Sequence, residues 1–256
     1  MANKLFNRQF LLTRPLHQAK PLFDLIQKEA GIPILFPTLE IIYLNDTSYL
    51  SSLFEKMEKV SYALFLSANA ISSIVLSKNH SHWLNKLKQF SLIAIGEGTR
   101  KALLAHDLIP EILSTVDSSS EGLLALPELQ QVHQKKIAIF KGEGGRNILP
   151  TTLKERGANV IEANVYRRQS PAQQIDQQWI NQQLKKMDAI IITSGESLEN
   201  LFKLIPNNAL LPTLTFIFVS QRIAKMAESF SIKKYLIAKN ASDKAIFDIL
   251  IQYFGK

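Results

Sequence analysis

Cysteine is absent from the whole 256-residue chain, which excludes disulfides, a thiol nucleophile and thiolate metal sites and suits a reducing compartment. No apolar run approaches the roughly 18 residues a membrane span needs. Near the start, Lys4 and Arg8 precede Phe10-Leu11-Leu12, but Arg14 and Pro15 end that stretch too soon for a secretory signal. The expectation is a cytoplasmic protein with no membrane association. Histidine is sparse as well, with five in the chain. His80-x-His82 reads as a surface pair in a loop beside Trp83, with no carboxylate or third histidine at a ligand spacing, so no metal is expected. His17, His106 and His133 stand alone, and no Ser/His/Asp order or paired-carboxylate arrangement is evident.

What is present is a folded globular composition, 46% hydrophobic and 20% charged, long enough for one large or two modest domains. The formal net charge of +8 is carried by scattered pairs such as Lys135-Lys136, Arg167-Arg168, Lys185-Lys186 and Lys233-Lys234. Nucleic-acid binders concentrate such charge on one face and interleave aromatics with it, so this pattern reads as a basic solvated surface and no nucleic-acid partner is expected.

Short apolar runs alternate with amphipathic stretches, the pattern of an α/β protein with largely parallel sheets. The runs predict strands over 10–13, 34–36, 63–66, 92–95, 137–140, 160–165, 189–192, 216–219 and 235–238, with a shorter one near Ile112. Helical periodicity marks 16–30 and 196–204. Two stretches read as longer extended segments, 34–44 (interrupted by Pro37) and 160–169, and proline suits a connecting strand better than a central one. The order also repeats. Ser67, ending one apolar run, stands 127 positions before Ser194, ending another; Arg14 and Lys141 are related in the same way, and Gly96 precedes Ser220 by 124. Three elements keeping type and spacing indicate a duplicated unit.

In a parallel sheet, ligands bind beyond the carboxyl ends of strands, against loop backbone and helix amino termini. The residues there are Thr13-Arg14, Ser67-Ala68-Asn69, Gly96-Glu97-Gly98-Thr99, Lys141-Gly142-Glu143-Gly144-Gly145-Arg146, Thr193-Ser194-Gly195 and Ser220-Gln221-Arg222. Most are small, hydroxylated or basic, as an anion site requires. Thr13, Ser67, Ser194 and Ser220 also read as helix caps. The loop 141–146 follows a strand and opens a helix, yet no Gly-Lys-Ser/Thr follows, and no third glycine completes a dinucleotide fingerprint. Glu162, twenty residues beyond Gly142, interrupts an otherwise apolar strand. Tyr166 ends the second extended stretch and is followed by Arg167 and Arg168. It reads either as a packed strand tyrosine or as a phenol proton donor.

The series Thr13-Arg14-Pro15, Phe65-Leu66-Ser67-Ala68-Asn69, Ala94-Ile95-Gly96-Glu97-Gly98-Thr99, Ser120-Glu121-Gly122, Gly142-Glu143-Gly144-Gly145-Arg146, Val165-Tyr166-Arg167, Thr193-Ser194-Gly195-Glu196 and Val219-Ser220-Gln221-Arg222 resembles the bacterial uroporphyrinogen-III synthase family, over roughly 10–250. The resemblance implies two flavodoxin-like parallel-sheet domains joined by a two-stranded β-ladder. Domain one would be 1–36 plus 172–256, domain two 39–168, and the connecting strands 37–44 and 164–171. It implies a cofactor-independent, monomeric lyase that cyclises hydroxymethylbilane, with hydroxymethylbilane synthase as the source handing it over. Both loop sets would then face one cleft. Tyr166 becomes the candidate acid, and Arg14, Ser67, Asn69, Gly96, Thr99, Lys141, Gly142, Gly144, Gly145, Arg146, Ser194, Gly195, Ser220 and Arg222 become candidate substrate contacts. Ser220-Gln221-Arg222 keeps a hydroxyl but lacks a counterpart of Gly96, which sets those two loops apart. The rival reading from the residues is a non-catalytic two-domain small-anion-binding protein.

Overall fold

The computed structural model describes residues 3–114, 119–171 and 176–255. Its strands are β1 (Gln9–Leu12), β2 (Ile32–Leu35), β3 (Glu40–Tyr43), β4 (Tyr62–Phe65), β5 (Ser91–Ala94), β6 (Ile112–Leu113), β7 (Lys136–Gly142), β8 (Asn159–Gln169), β9 (Ala189–Ile192), β10 (Thr215–Phe218) and β11 (Lys234–Ile237). Its helices are α1 (Leu16–Lys28), α2 (Thr47–Glu55), α3 (Ala68–Val75), α4 (His80–Leu87), α5 (Glu97–Leu104), α6 (Ser120–Leu124), α7 (Ile148–Glu155), α8 (Gln177–Leu184), α9 (Gly195–Leu204), α10 (Gln221–Met226) and α11 (Asp243–Phe254). None is long and apolar enough to cross a membrane. Two expectations need correcting. His80 and His82 lie in the first turn of α4, not in a loop. The stretch 34–44 is two strands, β2 and β3, separated around Pro37 and belonging to different sheets.

The chain divides into two compact units, Met1–Glu40 with Gln169–Lys256, and Ile41–Arg168. The boundary expected at 172 lies outside the described residues. The first unit holds a five-stranded sheet in the order β11-β10-β9-β1-β2, every pair parallel. Its core joins the strand side chains Phe10, Ile190 and Phe216 to Ala19, Leu22 and Ile26 of α1 and Ile246 and Leu250 of α11.

The second unit holds a six-stranded sheet in the order β3-β8-β7-β4-β5-β6. Strand alternation divides its core between two faces. Ala63, Phe65, Ala138 and Phe140 join one cluster, while Leu64, Ile137 and Ile139 join the other. Both faces are covered, so these strands read as unbroken apolar runs. Phe65 and Phe140 stack across β4 and β7 with ring centroids 4.5 Å apart.

The repeat maps onto these sheets in a specific way. A shift of 127 residues relates β1 to β7 and β4 to β9, and it carries β2 onto β8, while β5 and β6 find their counterparts in β10 and β11. In both sheets the order is therefore the same, β2-β1-β9-β10-β11 against β8-β7-β4-β5-β6. The five-stranded sheet takes two strands from the first half of the sequence and three from the second, and the six-stranded sheet takes four from the first and two from the second.

Candidate active site

The candidate residues gather at the carboxyl ends of the strands, where the helices begin. In the second unit β7 lies between β8 and β4, and it ends on Gly142. A side chain from β8 that is to meet the loop after β4 must pass over that end. Tyr166 does so, and its hydroxyl accepts a hydrogen bond from Ser67 Oγ at 3.0 Å. A Cβ on Gly142 would lie 2.6 Å from Tyr166 Cε2 and 2.7 Å from Cζ, so the ring occupies the space that any other residue would fill.

A bulge aims this tyrosine. Lys141 pairs with Asn164 but Gly142 with Tyr166, leaving Val165 as the extra residue of β8. Val165 and Tyr166 consequently join the same core cluster, which consecutive strand residues do only where the alternation is broken. The Val165 carbonyl accepts from Leu44 N–H at 2.8 Å and from the Ser73 hydroxyl of α3. Two further phenols lie nearby. Burial pushes the Tyr43 hydroxyl above its ordinary pKa; a hydrogen bond from Ser72 opposes the rise and the proximity of Tyr166 adds to it. Tyr49 donates to the Asn164 carbonyl at 2.8 Å and is raised by burial and then by Glu143.

Ser67 is the N-cap of α3, accepting from Ala70 N–H, and Asn69 is half-buried in the first turn. Gly96 caps α5 with extended backbone (φ 179°), and Thr99 is buried three residues on. Gly144 and Gly145 have φ of 71° and 86°, the left-handed region, with nothing within 4 Å of where a Cβ would sit. This loop needs glycine for its backbone, and it is open to a ligand.

In the first unit Ser194 caps α9 and Ser220 caps α10, each by its own hydroxyl. Thr13 does not cap a helix. Its hydroxyl donates to the Ile191 carbonyl at 2.7 Å, and Pro15 stands at the start of α1. Thr38 Oγ1 and Ser197 Oγ are 2.7 Å apart, and Asn200 Nδ2 donates to the Thr38 carbonyl at 3.0 Å. Gly195 makes room for Met226, whose sulfur would lie 2.8 Å from a Cβ. Arg222 is exposed on α10.

Three of the expected cations are already paired with carboxylates. Arg14 bonds Asp243 and the Ala241 carbonyl at the start of α11. Arg146 bonds both oxygens of Glu121, holding that carboxyl below its ordinary pKa. Lys141 is buried and lies 3.2 Å from Glu162, which also meets Lys154 at 3.2 Å. Burial alone would raise the Glu162 pKa, but the two lysines outweigh it and the net shift is downward. Glu162 is thus the counter-ion of Lys141, a role its spacing from Gly142 did not suggest. With these three charges compensated, what the loops still offer an anion is the exposed Arg222, small polar side chains and helix N-terminal N–H groups, the first of which have no partner within the helix.

A family model described as uroporphyrinogen-III synthase HemD matches residues 20–248. The chain belongs to the uroporphyrinogen-III synthase family. Its members cyclise hydroxymethylbilane to uroporphyrinogen III, a lyase reaction of porphyrin biosynthesis. A curated relative, the uroporphyrinogen-III synthase of Escherichia coli K12, is 28% identical over 247 residues, spanning 94% of this chain and 98% of the relative. That of Proteus mirabilis is 32% identical over 164 residues, 62% of this chain and 79% of its own length. Among solved structures, a mutant uroporphyrinogen III synthase from the extremely thermophilic bacterium Thermus thermophilus superposes with a TM-score of 0.64 at 18% identity, over 96% of this chain and 99% of that one. The Helicobacter pylori 26695 enzyme gives 0.65 at 17% over the same shares. These structures share the fold, an α/β chain with two parallel-dominated sheets. Tyr43, Ser72 and Ser73 are the site residues that strand-end reading missed. The signal for Ser73 was in the repeat, because 127 positions on stands Asn200, which makes the corresponding bond to the Thr38 carbonyl.

Proposed function

We propose that this chain carries out its family's reaction with Tyr166 as the acid that assists the departing hydroxyl. One arrangement supports this reading: a buried phenol carried over a glycine by a bulge, with a hydroxyl donor on its oxygen. The phenol proton passes to the terminal hydroxyl of hydroxymethylbilane, the C–O bond breaks, and its electrons leave with water. The pyrrole nitrogen lone pair then makes the remaining methylene electrophilic. It must meet the substituted carbon of the last ring, giving a spiro intermediate, rather than the free carbon. The bond from the substituted carbon to its original bridging methylene then breaks, the freed methylene becomes the electrophile that bonds the free carbon, and the proton released there restores the phenol. Acid assistance of this kind contributes about 10²–10⁴-fold. Holding the reacting carbons together supplies several kcal/mol, on the order of the larger proximity effects.

The substrate carries acetate and propionate groups on all four rings, so many modest donors suit it better than one strong cation. We read Asn69, Gly96, Thr99, Gly144 and Gly145 as its contacts in the second unit, and Ser194, Gly195, Ser220 and Arg222 as those in the first. Arg14, Lys141 and Arg146 act within their ion pairs, Gly142 by admitting Tyr166, and Ser67 at the phenol oxygen. The domains are read as 1–36 plus 172–256 and 39–168, with 37–44 and 164–171, which include β3 and part of β8, as a two-stranded connecting ladder. The protein is read as cytoplasmic, receiving its labile substrate from hydroxymethylbilane synthase.

The test is to supply hydroxymethylbilane, oxidise the products and separate type I from type III porphyrin. Abundant type III is expected. Type I alone, the product of spontaneous closure, would leave a non-catalytic anion-binding protein as the better reading. Tyr166→Phe should lower type III turnover about 100-fold or more; near-normal turnover removes Tyr166 from the role of acid.

A further inference from the structure

Ser67 does two things at once. Its Oγ accepts the Ala70 N–H, closing the first turn of α3, and its proton is given to the Tyr166 oxygen at 3.0 Å. A phenol oxygen that accepts from serine has its own proton directed elsewhere. The repeat supplies an internal control for what this second bond means. Ser194, 127 positions on, caps α9 in the same way through Ser197 N–H. The residue corresponding to Tyr166 is Leu39, which is buried and offers no acceptor side chain. Both serines cap a helix, and only Ser67 stands beside a phenol. Capping therefore accounts for a serine at both positions but not for the bond to Tyr166.

We propose that Ser67 is a positioning residue for the cyclisation, fixing the Tyr166 phenol by donating to its oxygen and stabilising the phenolate left when the proton departs. This rests on the reading of Tyr166 as the acid. Ser67 then contributes most after proton transfer, when its bond becomes charge-assisted and about twice as strong. Its effect belongs in kcat, with little change in KM. The geometry also separates Ser67 from the other candidate donors, because its proton is committed to the protein and not to a substrate carboxylate.

The experiment is a double-mutant cycle on type III formation from hydroxymethylbilane, joined to the chemical shift of the Tyr166 13Cζ resonance at neutral pH, which is assigned by its loss in Tyr166→Phe. Ser67→Ala should lower kcat about 10-fold or more with KM near wild type. Ser67→Thr, which keeps both hydroxyl and cap, should restore it. In the Tyr166→Phe background Ser67→Ala should cost nothing further. The resonance should move in Ser67→Ala. It should do so also in Ser67→Gly, which keeps most of the helix-start stability but has no proton to give, so that loss of the helix cap is not the cause. A Tyr166→Phe variant that is impaired but still measurable, and in which Ser67→Ala costs as much as in the wild type, overturns the proposal alone. A fully active Tyr166→Phe overturns the acid assignment and the proposal with it. A resonance unmoved in both Ser67→Ala and Ser67→Gly also overturns it.

Discussion

Gly142 has ordinary strand backbone, so only the Tyr166 ring refuses a side chain there, through contacts of 2.6 and 2.7 Å. Gly142→Ala should therefore push the phenol off Ser67 while leaving the sheet formed. Overpacking of this kind costs about 1–3 kcal/mol; thermal unfolding should report that loss, and type III formation should fall about as far as in Tyr166→Phe. Wild-type turnover in Gly142→Ala would show that the ring position is not critical. A second residue carries a pH dependence. Glu162 has its folded pKa depressed, so its stabilisation is full above the ordinary glutamate range and lost as pH falls through the lower folded value. Glu162→Gln leaves Lys141 buried without its counter-ion, at a cost of about 2 kcal/mol near neutrality. Denaturant melts should find this gap narrowing as the wild-type carboxylate protonates in acid; a gap that stays constant to low pH would mean that the pair is not the source. The strand-end residues of the site were readable because their type and place follow from parallel-sheet topology. Their partners were not. Asp243 lies 229 positions from Arg14, and Glu121 lies 25 from Arg146, separations that no local spacing rule reports. Likewise Gly142 and Gly195 read as openings for a ligand, whereas their missing Cβ atoms admit Tyr166 and Met226.

The bulge in β8 is the element that turns a packed strand into a site. Its extra residue, Val165, presents a carbonyl to two donors, Leu44 N–H from the chain just after β3 and Ser73 Oγ from α3. Ser73 is buried, so its removal leaves that carbonyl one partner short, a loss of about 1 kcal/mol. Ser73→Ala should show this in stability and should also lower kcat, because Tyr166 follows the bulge directly. Asn200→Ala offers the contrast in the first unit, since the Thr38 carbonyl it serves is followed by Leu39. It should destabilise by about as much, yet leave the Tyr166 resonance unmoved; a shift there would show that the two positions are not independent. Element type was readable along most of the chain, since buried parallel strands are continuous apolar runs and helices keep their period. It failed where tertiary pairing decides. Residues 34–44 carry extended propensity throughout, but β2 pairs with β1 in one sheet while β3 lies beside β8 in the other. Helix α4 begins at Asn79 without a side-chain cap bond, so its polar first turn resembled a loop, and Trp83 and Leu87 in the core hold it.

Across the whole molecule, the duplication in the sequence is not the division in the structure. The spacing of 127 residues was readable, but residues alone do not tell which half's strands pair; only the resemblance to a family of discontinuous domains pointed to the exchange. Side-chain volume gives a physical reason for it. At the same repeat position, β1 sets Leu11 beside Ile190 of β9, whereas β7 sets Ala138 beside Ala63 of β4. On the same face, Phe36 follows β2 where β8 has Ala163. Were β1 to replace β7 next to β4, Leu11 would enter a layer fitted to alanine around Phe54 and Phe65, and overpacking of about 1–3 kcal/mol per site would oppose it. Each sheet therefore selects strands from both halves. The consequence is testable with two fragments of almost equal length. Residues 41–168 contain β4 to β8 with their covering helices, and should unfold cooperatively on their own. Residues 1–127 contain one full copy of the repeat but lack both β9 and β7, leaving the inner edges of β1 and β4 unpaired. That fragment should show no cooperative thermal transition by circular dichroism and should aggregate through those edges. A folded, monomeric 1–127 would mean that β1 does pair with β4, and that volume matching is not what divides this chain.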